Sequence, residues 1–154
     1  DHLSVGMALL GHRSFPDEEA NGVALTGNIF DTTGLEPGFY VNVQLGGASV
    51  VKPEPGTSTD QFIYYYYYPG QPMVFLGHSN LVSEGETVLT LAQAYSLGTA
   101  LDAIHKYFMG LYGPPPDDPL RFYGMDVEFK FDGEDGEEPA LFVKQARPHP
   151  GWGK

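Results

Sequence analysis

Cysteine is absent from the 154 residues, so neither a disulfide framework nor a thiolate metal centre is available to this chain. Positive charge is scarce: 8 Lys and Arg stand against 20 Asp and Glu, a formal net charge of −12. A surface this acidic repels nucleic acid and anionic membranes, which excludes both as default partners. A polyanionic small ligand would need a metal ion, or basic residues from a larger protein, to be held here. Long apolar runs are missing too, and no segment reads as a membrane span. The lack of cysteine fits a reducing compartment, and a cytoplasmic location is expected. The chain opens Asp1-His2-Leu3-Ser4 with no initiating Met or signal peptide, and residues 1–154 read as one domain cut from something longer.

What is present is a folding composition, 42% apolar and 14% aromatic, in a length that suits one domain with a core. Ser4–Leu10 reads as a buried strand, Pro16–Glu19 as a turn, and Gly22–Thr26 as a second strand. Gly34–Gly38 punctuates before the alternating run Phe39–Val43, a third strand, and Lys52–Thr59 is a loop. Gln61–Tyr68 carries five consecutive tyrosines, and its β-propensity predicts a half-buried strand; a stacking platform for bases is the alternative. Ala94, Leu97, Leu101, Ile104, Phe108 and Leu111 recur at spacings of three and four and predict one helix. It should begin near Thr90 and stop by Gly113, before Pro114-Pro115-Pro116. His105, near its C-terminal end, reads as a solvated helix-end histidine, with a ligand role as the alternative. The expected fold class is α+β, an antiparallel sheet backed by this helix.

The last third carries the chemistry. Gly124–Phe131 alternates, with Met125, Val127, Phe129 and Phe131 on one face and Asp126, Glu128 and Lys130 on the other. Ala140–Arg147 is a second strand, and the polar stretch Asp132–Pro139 between them predicts a hairpin with a long loop. Pairing Phe131 with Phe142 puts Glu128 opposite Gln145 and Asp126 opposite Arg147 on one face. Carboxylate and amide oxygens are hard ligands suited to Mg²⁺, and a guanidinium fork suits a phosphate oxygen. The same pattern also describes an ordinary cross-strand ion pair beside a solvated glutamate, and a one-residue slip would turn Gln145 to the other side.

Asp126-Val127-Glu128-Phe129, followed after an acidic loop by Leu141-Phe142-Val143-Lys144-Gln145-Ala146-Arg147-Pro148, resembles the closing signature of the pyruvate phosphate dikinase and phosphoenolpyruvate synthase family. The likeness extends upstream: Gly22-Val23-Ala24-Leu25-Thr26 resembles the family's Gly-Val-x-Phe-Thr strand, and Gly47-Ala48-Ser49-Val50-Val51 its Gly-Glu-x-Val-Val. The resemblance implies the C-terminal half of an ATP-grasp domain, with short helices besides the long one. It implies ATP and Mg²⁺ as cofactors, Glu128 and Gln145 as metal ligands, and Arg147 as the catalytic, phosphate-contacting residue. Met7, Ala8, Leu9 and Leu10 would meet the adenine with backbone groups. The partners it implies are a basic N-terminal ATP-grasp half and a phosphohistidine domain, and phosphoryl transfer to an enzyme histidine and then to pyruvate or another acceptor. The chain by itself is expected to lack phosphotransfer activity. Two positions depart from the family: Gly27 stands where it carries Arg, and Ala48 where it carries Glu. Those losses open a second reading, a catalytically degenerate binding or regulatory module. A third reading is an acidic β-rich interaction domain.

Overall fold

A computed structural model describes residues 11, 14–31, 33–134 and 136–151. Strand β1 spans Ala20–Leu25, β2 Phe39–Leu45, β3 Asp60–Tyr64 and β4 Met73–Gly77; helix α1 spans Leu91–Tyr112; β5 spans Met125–Asp132 and β6 Ala140–Pro148. The strands form one six-stranded sheet in the order β4-β3-β2-β1-β5-β6, with every neighbouring pair antiparallel. The fold is a mixed α/β arrangement of that sheet and one helix. The short helices expected beside α1 have no counterpart among the described residues, and the strand expected at Ser4–Leu10 lies outside them. No helix among the described residues is long and apolar enough to cross a membrane.

Alternation divides the sheet into two unlike faces. Phe39, Val41 and Val43 of β2, Phe62 and Tyr64 of β3, and Met125, Val127, Phe129 and Phe131 of β5 are all buried in one core with Leu97 and Leu101 of α1. The core-side positions of β1 are Ala20, Gly22 and Ala24, all small. A Cβ on Gly22 would meet the Phe129 ring and stand 2.8 Å from the Asn42 carbonyl oxygen. Glycine here is a matter of space: the Phe129 ring lies across the strand where a side chain would go.

The helix begins and ends where its sequence says. Thr90 caps it in a reciprocal capping box with Gln93: the Thr90 hydroxyl accepts from the Gln93 amide at 3.2 Å, and the Gln93 side chain accepts from the Thr90 amide at 2.9 Å. Gly113 is the C-cap, donating to the Met109 carbonyl at 2.9 Å, and the proline run follows. Of the periodic apolar positions, Ala94, Leu97 and Leu101 are buried, Ile104 and Phe108 pack partly, and Leu111 is exposed because the helix end runs past the core. Gly98 is also buried, and a Cβ there would stand 2.6 Å from ring atoms of both Tyr64 and Tyr66. A mid-helix glycine is unfavourable by about 1 kcal/mol against alanine, and here it allows the two rings to lie against the helix.

The tyrosine run departs from the expected strand. Only Tyr64 belongs to β3; Tyr65–Tyr68 turn away, with the Tyr68 amide bonded to the Tyr65 carbonyl at 3.1 Å. Gly70 (φ 75°) and Gln71 (φ 44°) close the turn into β4, a strand with no sequence expectation behind it. The left-handed backbone at Gln71 is held by its own side chain, which donates to the Tyr66 carbonyl at 3.1 Å and accepts from the Tyr64 hydroxyl at 3.2 Å. Turn chemistry at Pro69-Gly70 outweighs the β-propensity of the rings.

The connection from β4 to α1 is tied to the sheet edge by a buried carboxylate. Asp60 accepts the amides of Ser79 and Val88, both at 2.7 Å, while Gln44 accepts the Ser79 hydroxyl at 2.6 Å and donates to the Ser58 carbonyl at 2.7 Å. Both side chains are fully buried and paired, as burial of polar groups requires.

Candidate functional site

The face turned away from α1 is built in cross-strand rows. Gln61, Asn42, Val23, Glu128 and Gln145 form one row, each opposite the next on neighbouring strands. The adjacent row runs Ile63, Tyr40, Leu25, Asp126 and Arg147. Glu128 and Gln145 are therefore direct partners, with Cβ atoms about 4.5–5.5 Å apart on the same side of the sheet.

The route to that pairing differs from the expected one. Phe131 pairs with Leu141, and Phe142 faces Lys130, one residue away from the expected Phe131–Phe142 register. A bulge on β6, opposite the step from Glu128 to Phe129, then absorbs the discrepancy, because Phe129 faces Val143 while Glu128 faces Gln145. Lys144 is the extra residue. Were Lys144 paired in the ladder instead of bulged out, Gln145 would turn towards the helix side and Glu128 would face Lys144. The bulge also brings the Lys144 ammonium over the Phe15 ring, 4.6 Å from its centroid, where Phe15 packs edge-on against Phe142.

Glu128 is exposed, and neither it nor the Gln145 side chain makes a hydrogen bond or ion pair among the described residues. Their oxygens are uncommitted hard donors on adjacent strands, a set that fits one divalent cation completed by water and phosphate oxygens. No group of three or more His, Cys, Asp or Glu side chains converges on a metal position among the described residues, so any cation here would depend on the amide oxygen as well. Arg147 donates to Asp126 Oδ2 from Nε at 3.0 Å and from a terminal nitrogen at 2.8 Å. That hydrogen bond, with the charges of Asp126 and Glu128, raises the pKa of the guanidinium above its ordinary value. Three of its five N–H donors remain for another oxygen.

Beside Glu128 lies a shallow cavity of about 210 Å³ walled by Ser49–Val51, Asn21, Lys130 and Lys144. Lys130 is ion-paired with Glu18. Asn21 donates to the Ala48 carbonyl at 2.9 Å and so tethers the 46–51 segment over the sheet. Asn42 donates to the Val50 carbonyl at 3.2 Å, and its Oδ1 is buried without a partner. Met7, Ala8, Leu9 and Leu10 lie outside the described residues.

The opposite face holds an arrangement the sequence reading missed. His105 is half-buried and packed: its Nδ1 lies 3.0 Å from the Thr26 hydroxyl, its ring packs against Tyr123 at 4.7 Å, and the Tyr123 hydroxyl donates to its carbonyl at 2.8 Å. Burial lowers its pKa below the ordinary 6.5, and the hydrogen bond with Thr26 and the Asp102 charge offset this only in part. A sequence signal existed: His105 extends the buried line Ala94, Gly98, Leu101 at helical spacing. Nearby, burial pushes the Asp102 carboxyl up, but hydrogen bonds from Lys106 and Tyr67 outweigh it and hold the group below its usual range. Neither a comparison with models of known protein families nor one with curated proteins finds a match, so the likeness to the dikinase family rests on the quoted motifs alone.

Proposed function

We propose that this chain is part of an ATP-dependent phosphotransferase of the dikinase type, the C-terminal half of an ATP-grasp domain. Its part is to hold the phosphates of Mg²⁺-bound ATP on the sheet face opposite the helix. The observation that carries the reading is the direct pairing of Glu128 with Gln145, both uncommitted, one row from Arg147. Glu128 and Gln145 would each give the cation one oxygen. Bound there, Mg²⁺ would supply the charge neutralisation that a chain of net charge −12 lacks. Arg147, oriented by Asp126, turns its remaining N–H groups to a phosphate oxygen. These residues position and stabilise charge; none of them attacks or is attacked. Phosphoryl transfer would pass to an enzyme histidine and then to pyruvate or another acceptor, on partners outside this chain: a basic ATP-grasp half and a phosphohistidine domain.

Electron paramagnetic resonance of Mn²⁺ tests the metal assignment directly. Wild type should bind Mn²⁺, and Glu128→Ala and Gln145→Ala should each weaken it about tenfold or more; equal affinity in all three would defeat the reading. In the parent protein the same substitutions should abolish ATP consumption.

One observation favours the second reading, a degenerate binding or regulatory module. A Cβ at Gly27 would stand 2.9 Å from the Phe122 ring, so the arginine of the family pattern has no room here without displacing that ring. Under that reading the parent protein binds nucleotide without consuming it.

A further inference from the structure

On the helix side of the sheet, a cavity of about 230 Å³ opens between the segment that follows β1 and the C-terminal part of α1. Thr26, Phe39, His105, Met109, Arg121 and Tyr123 are among its walls. At about 30 Å³ per water molecule it holds roughly eight waters, room for a small ligand only.

The hydrogen-bond arithmetic at Thr26 fixes what His105 offers to this space. Thr26 is 2% exposed, and its hydroxyl oxygen already accepts the Met125 amide at 2.8 Å. The only other partner of that hydroxyl is His105 Nδ1, so its proton must go there or stay unpaired in a buried site. Nδ1 is therefore the acceptor, and the proton of the neutral ring sits on Nε2. Nε2 makes no hydrogen bond to another side chain among the described residues, and it is not among the buried side-chain polar atoms left unpaired there. Nε2–H is thus an open donor on a side chain that lines the cavity, held by Thr26 on one side and Tyr123 on the other.

Two opposite charges line the cavity, Asp31 and Arg121, and they differ in what they have left to offer a ligand. Asp31 lines it, but its carboxylate accepts the Thr33 hydroxyl and the amides of Thr33 and Glu36 within its own turn. Arg121 lines it, is exposed, and forms no ion pair among the described residues. One guanidinium, one N–H donor and aromatic walls suit a single carboxylate on a flat apolar body; a polyphosphate would lack the countercharge.

We propose that the cavity walled by Thr26, His105, Arg121 and Tyr123 is a second binding site, for a small aromatic or otherwise flat monocarboxylate. His105 Nε2–H and the Arg121 guanidinium share the carboxylate, and the body lies against Phe39 and Tyr123. This site is on the other face of the sheet from Glu128 and Gln145 and stands whether or not those residues bind a metal.

Benzoate and benzamide, titrated against the isotopically labelled chain by NMR, test it. Benzoate should shift the His105 ring resonances with a millimolar dissociation constant, and benzamide, which keeps the ring but not the charge, should bind about tenfold more weakly. Arg121→Ala removes an exposed side chain without touching the core, and it should cost benzoate about tenfold in affinity while leaving benzamide unchanged. The site is refuted if benzoate leaves His105 unshifted, if benzamide binds equally well, or if Arg121→Ala binds benzoate like wild type.

Discussion

His105 is the residue whose environment most changes its chemistry. Burial lowers its folded pKa below the 6.5 it would have in the unfolded chain, so the unfolded chain binds the proton more readily. The stability this neutral ring contributes is fully present above about pH 6.5 and is lost as pH falls through the lowered folded value, by at most about 1.4 kcal/mol per pH unit for one proton. Urea unfolding at pH 7 and pH 5 should show wild type losing more stability on acidification than His105→Gln, which has no proton to gain. Parallel losses in the two proteins would show that His105 does not titrate between those pH values. The sequence placed this histidine on the helix but assigned it to water, because Thr26 and Tyr123 are brought to it only by the turn of β1 against the helix.

Among the elements, the β5–β6 hairpin shows both the reach of pattern reasoning and where it stops. Alternation along Met125–Phe131 sorted core from surface, and apolar spacing with the proline run after Gly113 bounded the helix that the structure caps at Thr90 and Gly113. The partners Glu128–Gln145 and Asp126–Arg147 were also legible, but through a register one residue out at Phe131, corrected in the structure by the Lys144 bulge. A bulge has no compositional signature in Val143-Lys144-Gln145, whereas the turn that takes Tyr65–Tyr68 out of β3 was marked by Pro69-Gly70 and masked by the β-propensity of the rings. Deleting Lys144 should therefore be tolerated better than inserting a residue after it. The deletion straightens β6 and keeps Gln145 opposite Glu128, whereas an added residue moves Gln145 off that row. Cross-strand nuclear Overhauser contacts between the Glu128 and Gln145 α-protons read the outcome: retained in the deletion variant, lost in the insertion variant. Loss in the deletion variant would show that the bulge itself holds the register.

The whole molecule carries a formal charge of −12, with a sequence pI near 4.5, and among the described residues Lys and Arg ion pairs engage only Asp102, Glu18 and Asp126. Self-repulsion of that size disfavours the compact state and is screened by salt over a Debye length of about 10 Å at 0.1 M. The midpoint of thermal unfolding should rise as sodium chloride increases from low concentration to about 0.15 M, and circular dichroism melts would follow it; a flat or falling midpoint would mean that the paired charges, not the unpaired ones, dominate.

The small residues along β1 have a consequence for how this sheet comes apart. Ala20, Gly22 and Ala24 give that strand almost no bulk of its own, although it lies between β2 and β5 and is covered by rings that belong to its neighbours. Its order is borrowed. Trimming Phe129 should speed hydrogen–deuterium exchange at the Val23 and Leu25 amides as much as at β5 itself, since the middle of the sheet stays closed only while the residues on either side keep it covered.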